Sequence, residues 1–357
     1  MTVLSSSLLA PLSALYGMVA RTRVALYRRG ILETQQIPAP VISVGNITTG
    51  GTGKTPLVAW LAHQLAGMGR RVCILTRGYG RANSSMQVLV SDGERVLADW
   101  SQAGDEPRLL AETLINTAAV ISNADRLTAA KWAIKNLKSN AFILDDGFQH
   151  LAIARDLNLV TIDSTNPWGG RKLLPRGRLR ESLSGLARAD AIVLTRAHLA
   201  QDIDAIRTEA ARLSDGRPVL VSRTHTVRVR RLSDYFEDAN TDHLTELPEQ
   251  PVALFCALGN PHAFFSHLAG DGHSIVQSKS FPDHHVYTQR DVDALSRTAQ
   301  SNGAQSLVTT AKDAVKLRGL QFTMPCYVVE IDMTFDDQPR VLEMVSVAMN
   351  NPRFKPS

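Results

Sequence analysis

The chain has 357 residues, 44% of them hydrophobic, which suits two packed cores in a soluble, globular protein. Its formal net charge of +5 favours an anionic partner, whether nucleic acid, acidic substrate or anionic bilayer, without choosing among them. Cys73, Cys256 and Cys326 lie far apart inside apolar runs, which argues against a disulfide framework or a CxxC metal site and fits a reducing cytosol.

The first twenty residues carry no charge, and Leu8, Leu12, Leu15, Tyr16 and Val19 recur at helical spacing before Arg21, Arg23, Arg28 and Arg29. A signal peptide would place its basic residues first and offer a small-residue cleavage site. A spanning helix needs about 20 predominantly apolar residues, and Thr2, Ser5, Ser6, Ser7, Pro11, Ser13 and Gly17 dilute this one. The segment reads as a helix lying in the membrane interface with its arginines on anionic headgroups. An amphipathic helix packed on its own domain accounts for the pattern almost as well.

Residues 38–56, PAPVISVGNITTGGTGKTP, combine a short strand, a Gly/Thr-rich turn and the start of a helix at 57–65. In that setting Gly50, Gly51 and Gly53 let backbone N–H groups close around phosphate oxygens; Lys54 reaches the outer phosphates and Thr55 offers a hydroxyl to Mg²⁺. Thr48 stands where the simple phosphate-loop pattern asks for its first Gly, so Thr48, Thr49, Gly50, Gly51, Thr52, Gly53, Lys54 and Thr55 form a nucleotide site with an irregular beginning.

A second buried-type strand ends at Thr76 and leads into Arg77-Gly78-Tyr79-Gly80, a tight loop where ligands of open α/β sheets collect. Arg77 and Tyr79 are substrate candidates there, with a plain turn as the equal alternative. Gly104-Asp105-Glu106-Pro107 precedes a helix expected from Arg108 onward, and locally its carboxylates read as capping. A third strand at 118–122 leads to Asn123-Ala124-Asp125-Arg126. The run at 140–150 then ends a strand in Asp145-Asp146-Gly147-Phe148-Gln149-His150, the usual way to hold Mg²⁺ opposite a phosphate loop. Further strands follow at 157–163 and 191–195, the latter expected to close the first sheet, and a helix at 199–213.

Between them, residues 168–181 pack four Arg and one Lys into fourteen positions with only Trp168 to stack a base, which favours phosphate or headgroup binding over nucleic-acid reading. Residues 218–232 alternate like a strand and 234–250 are acidic and polar, an inter-domain connection. A second α/β unit without a phosphate loop follows, with strands at 251–258, 274–281, 306–310 and 326–331 and helices at 261–269, 288–301 and 339–349. Its loop Phe281-Pro282-Asp283-His284-His285 carries groups able to move protons.

Taken in order, SVGNITTGGTGKTP, RGYGR, GDEP, LDDGFQH, LPRGRLRE, FPDHH and TAKDAVKL resemble the tetraacyldisaccharide 4'-kinase family over nearly the whole chain. One position departs: the family's Thr-Glu-Lys-Asp reads Thr-Ala-Lys-Asp here, with Ala311 for Glu. The resemblance implies a P-loop NTPase-like α/β/α sandwich plus a second, smaller α/β/α domain joined by a short β linker. The expected parts are an interface helix (1–30), a kinase domain (31–217), a linker (218–250), a second α/β domain (251–335) and a C-terminal helix and tail (336–357).

It also implies that Asp105 is the base that receives the proton of the sugar hydroxyl, with His284 assisting from the second domain. Lys54 neutralises the γ-phosphate of ATP, and Thr55, Asp145, Asp146 and Glu181 serve Mg²⁺ and its waters. Tyr79, Arg77, Arg126, Gln149 and Arg180 then meet a phosphorylated glycolipid, tetraacyldisaccharide 1-phosphate, at the cytoplasmic face of a bacterial inner membrane. No nucleic acid and no obligatory protein partner are expected. The rival reading is a membrane-associated P-loop switch or transport ATPase; such dimerising ATPases carry a signature Lys before the paired glycines, where Thr49 stands here.

Overall fold

A computed structural model describes residues 9–79, 81, 83, 86–236, 244, 246–248 and 250–351. Gly80 of the RGYG loop, the first eight residues, most of the acidic stretch at 237–243 and the tail from 352 lie outside the described residues.

The elements run α1 (Ala10–Arg28), β1 (Val41–Asn46), α2 (Lys54–Gly67), β2 (Val72–Thr76), β3 (Val88–Ser91), α3 (Trp100–Ala103), α4 (Asp105–Thr113), β4 (Ala118–Ser122), α5 (Arg126–Leu137), β5 (Ala141–Asp145) and β6 (Leu157–Asp163). They continue β7 (Ala191–Thr195), α6 (Ile203–Leu213), β8 (Val219–Arg231), β9 (Val252–Cys256), α7 (Pro261–Gly270), β10 (Ile275–Ser280), α8 (Gln289–Ser301), β11 (Ser306–Thr310), α9 (Ala311–Ala314), β12 (Cys326–Phe335) and α10 (Gln338–Met349). This is an α/β fold of the P-loop NTPase type. β1, β2, β4, β5, β6 and β7 are buried along their whole length, as strands covered by helices on both faces must be.

The twelve strands among the described residues form one sheet in the order β10-β9-β11-β12-β8-β7-β6-β1-β5-β2-β4-β3. The expectation that β7 closes a first sheet fails for a simple reason: β8 pairs parallel with β7 and antiparallel with β12, so two long strands carry the ladder from one half to the other. β3 and α5 were not foreseen; β3 pairs antiparallel with β4 at the sheet edge. The last helix belongs to the first half. Met333, Phe335, Val341, Val345 and Met349 share a core with Leu57, Leu61 and Leu110, and Phe335 meets Trp60 edge-on at 4.9 Å. A separate core gathers Phe255, Tyr287, Leu307 and Val328 in the second half.

One helix start differs from expectation. α4 begins at Asp105 itself, so Asp105 and Glu106 sit in its first turn after Gly104, whose φ of 97° only glycine adopts easily. α1 runs through Arg21, Arg23 and Arg28. Its buried residues are Ser13 and Gly17, not its leucines. Ser13 donates to the Leu173 carbonyl at 3.0 Å and accepts from the Arg176 amide at 3.0 Å. Leu12, Leu15, Met18 and Val19 are left 53–60% exposed.

Candidate functional site: a cleft between the two halves

The phosphate loop joins β1 to α2, as a strand–loop–helix site requires. Gly50 and Gly53 have φ of 103° and 76°, and a Cβ on Gly53 would press on Thr195 at 3.1 Å. The irregular start of the loop now has a cause. The basic segment zips onto it: Arg180 N donates to the Ile47 carbonyl at 2.7 Å, Thr49 N donates to the Arg178 carbonyl at 2.8 Å, and Thr48 bridges to Leu179. Thr48 and Thr49 are thus anchoring residues, and Thr52 turns its hydroxyl inward to Asn46 at 2.8 Å and Thr161 at 2.9 Å. Residues 49–56, Lys54 and Thr55 among them, line the open cleft.

Opposite Lys54 stand the strand-end carboxylates. Asp146 lies 3.5 Å from Lys54 Nζ and accepts two hydrogen bonds from Arg180, at 2.8 and 2.7 Å. Burial raises the Asp146 carboxyl, but Lys54 and Arg180 overcome it and hold it well below the usual range. Asp145 responds the other way. Burial first, then the charge of Glu106, pushes it up to about 6 against the pull of Lys54. An under-compensated buried carboxylate followed directly by a second carboxylate offers hard oxygen donors. Among the described residues no cluster of three or more His, Cys, Asp or Glu forms a ready metal cage. A Mg²⁺ that keeps several waters and nucleotide oxygens needs only one or two carboxylates, so the donor set fits.

The other predicted residues are held in more specific ways than expected. Glu181 faces Arg188 at 2.7 Å and Gln149 at 2.7 Å, and Gln149 also donates to the Asn46 carbonyl at 2.8 Å. Arg126 is buried and donates to the Asp145 carbonyl at 2.7 Å, fixing the strand end. Arg77 and Tyr79 line the cleft, with the Tyr79 ring 5.7 Å from that of His284. His150, in contrast, is half-buried, and desolvation, then the charges of Arg126 and Arg155, lower it to about 4 and keep it neutral.

Asp105 and His284 meet across the cleft although 179 positions apart. His284 Nδ1 lies 2.8 Å from Asp105 Oδ2 and 3.0 Å from Oδ1. Burial raises the Asp105 carboxyl, but the hydrogen bond from His284 and the charges of Lys312 and Lys316 bring it down to about 2. The same bond raises His284 above its ordinary value.

Further contacts were not foreseen. Lys312 reaches Glu106 at 2.9 Å and Asp283 at 3.3 Å, which links α9 of the second half to α4 of the first. Burial lowers Lys312, but Glu106 and Asp105 outweigh it and hold its ammonium firmly charged. On the nucleotide side, Asp163 Oδ2 accepts from Arg196 at 2.6 Å and from Asn260 at 2.7 Å. Arg196 in turn donates to the Gly51 carbonyl at 2.8 Å, and Arg178 donates to the Gly259 carbonyl at 3.2 Å. The sequence signal for this bridge was an acidic strand end at Asp163 and a capping Asn260 before Pro261; neither points to the other.

The comparisons with known proteins agree with this arrangement. The family model described as tetraacyldisaccharide-1-P 4'-kinase matches residues 5–350. The chain belongs to this family. A tetraacyldisaccharide 4'-kinase of Desulfotalea psychrophila is 37% identical over 318 residues, covering 89% of each chain, and one of Anaeromyxobacter dehalogenans is 42% identical over 300 residues, covering 84% of this chain and 78% of its own length. A solved structure of LpxK from Aquifex aeolicus in complex with ATP, 31% identical, superposes with a TM-score of 0.76 over 97% of this chain and 100% of its own. The chain is therefore a kinase, and its reaction is 4'-phosphorylation of a tetraacyldisaccharide in lipid A assembly.

Proposed function

We propose that the protein carries out direct, in-line transfer of the γ-phosphoryl group of MgATP to the 4'-hydroxyl of tetraacyldisaccharide 1-phosphate, with Asp105 as the base. The observation that carries this reading is the Asp105–His284 pair, built from two halves of the molecule, in the same cleft as Lys54 and the phosphate loop. The acceptor oxygen forms its bond to the γ-phosphorus as the bond to the bridging oxygen of ADP breaks, and the hydroxyl proton passes to the Asp105 carboxylate. His284, raised by Asp105, is suited to take that proton onward.

Lys54 would bear on the γ-phosphate, and Gly50, Gly51 and Gly53 would let the backbone approach it. Thr55, Asp145 and Asp146 would hold Mg²⁺, which supplies charge neutralisation on the phosphates. Glu181 would act at one remove by orienting Gln149, and Arg126 by fixing Asp145. Arg180, Arg77 and Tyr79 would face the phosphorylated sugar.

The exposed apolar face of α1, with Arg21, Arg23 and Arg28 along the same helix, supports a peripheral or monotopic seat on an anionic membrane, at the cytoplasmic face of the inner membrane. No described helix is long and apolar enough to cross a bilayer. The test is to incubate purified protein with labelled ATP and the disaccharide lipid. Label at the 4'-position supports the reading, whereas robust ATP hydrolysis without lipid phosphorylation refutes it.

A further inference from the structure

Lys316 has no place in the transfer as described, yet it is among the most buried cations of the molecule. Its side chain is 1% exposed, and its Nζ makes no hydrogen bond among the described residues. It lies 3.4 Å from Asp313 Oδ1 and 3.6 Å from Asp105 Oδ2, with the Tyr287 ring centroid at 5.6 Å. Asp313 needs no ammonium to be satisfied. Fully buried, it already accepts from the Ala257 amide at 3.1 and 3.2 Å, the Tyr287 hydroxyl at 3.0 Å and Thr310 at 2.8 Å. A buried, charged side chain lacking hydrogen bonds is costly wherever it has no electrostatic use.

Its neighbours suggest that use. Asp105 Oδ2, the oxygen 3.6 Å from Lys316 Nζ, is the same atom that His284 approaches at 2.8 Å and Lys312 at 3.9 Å. The groups facing Asp105 are therefore His284 and Lys312 from the second half, Lys316 behind them, and Glu106 on its own helix; Asp283 faces both His284 and Lys312. Lys312 is already divided between Asp105, Glu106 and Asp283.

We propose that Lys316 is a positioning residue of the phosphoryl transfer, whose ammonium, set behind Asp105, fixes the carboxylate and limits how tightly His284 holds its proton. The argument is one of competition. His284, Lys312 and Lys316 share one carboxylate oxygen, so each weakens the grip of that oxygen on the others. A carboxylate paired with His284 alone would make the imidazolium too stable to pass its proton on. Lys316 draws off part of that attraction without offering a proton path of its own. Because Lys316 and His284 come from the same half, the balance is struck only when that half closes on Asp105. The inference rests on the reading of Asp105 as the base.

The test is the titration of the His284 ring by NMR in the full-length protein, together with the pH dependence of kcat/KM on the lipid, for wild type, Lys316→Met and Lys316→Arg. In Lys316→Met the His284 midpoint rises by about half a pH unit or more, the pH for half-maximal kcat/KM rises with it, and Lys316→Arg restores both. If Lys316→Met fails to fold, Lys316→Gln, which keeps polar contacts without charge, carries the same expectation. A midpoint that stays in place while activity falls equally at all pH values would make Lys316 a structural partner of Asp313 and overturn the proposal. Asp105→Asn, run alongside, separates the two claims: full turnover there sinks the base assignment, whereas an inactive Asp105→Asn beside an unmoved midpoint sinks the Lys316 role alone.

Discussion

Replacing Leu15 and Val19 by Ser tests whether α1 is a membrane-facing element. These side chains are 53% and 60% exposed, while the helix is docked through Ser13 and Gly17. Full burial of such a side chain is worth about 1.5–3 kcal/mol, so immersing the exposed half of each contributes about 1 kcal/mol. Losing two of them costs about 2 kcal/mol, or roughly 30-fold in partitioning at about 1.4 kcal/mol per tenfold. The fold should not notice, because exposed positions away from caps and ion pairs change stability by about 0.5 kcal/mol or less. Co-sedimentation with vesicles containing anionic lipid reads the partitioning, and thermal unfolding reads the fold. Binding within threefold of wild type, with an unchanged melting temperature, would show that the apolar face of α1 does not enter the bilayer.

Other expectations follow from the cleft. Gly53→Ala places a side chain at φ 76° and 3.1 Å from Thr195, and should cost about 1–2 kcal/mol in the loop conformation and weaken ATP binding about 5- to 30-fold by calorimetry. Asn260→Ala removes the hydrogen bonds to Asp163 and Thr165 and the cap of α7; a loss of about 1.5–3 kcal/mol from the closed arrangement predicts a ten- to hundredfold fall in kcat/KM for ATP. A twofold change would remove the bridge from the account. His284 is raised in the folded protein, so its pairing stabilises below the ordinary value near 6.5 and that gain is lost as pH climbs through the raised value. The melting temperature of wild type should therefore exceed that of His284→Gln most below the ordinary value and converge on it as pH climbs through the raised one.

Much of the fold was legible because its strands are uniformly buried apolar runs, from Val41–Asn46 through Ala191–Thr195, and such runs have no other stable place. β3 was not legible: it is four residues at the sheet edge, paired with β4, of which only Val90 and Ser91 are buried. The single continuous sheet was also invisible, since pairing of β8 with β12 joins residues about a hundred positions apart. In the site, glycine and lysine chemistry announced the phosphate loop, but the reason for Thr48 and Thr49 lay in the segment that zips onto them. Asp105 read locally as a cap. Only the fold brings Lys312, Lys316 and His284 to it, and no local pattern encodes a contact made across 179 or more positions.

The measurement that bears most directly on the central claim is single-turnover transfer from labelled ATP to the disaccharide lipid by Asp105→Asn, with ATP affinity measured on the same preparation. Removing the positioned base predicts a loss of about 10²–10⁴ in the transfer rate, with ATP binding within a few-fold of wild type. Transfer at the wild-type rate with normal ATP binding would contradict the account.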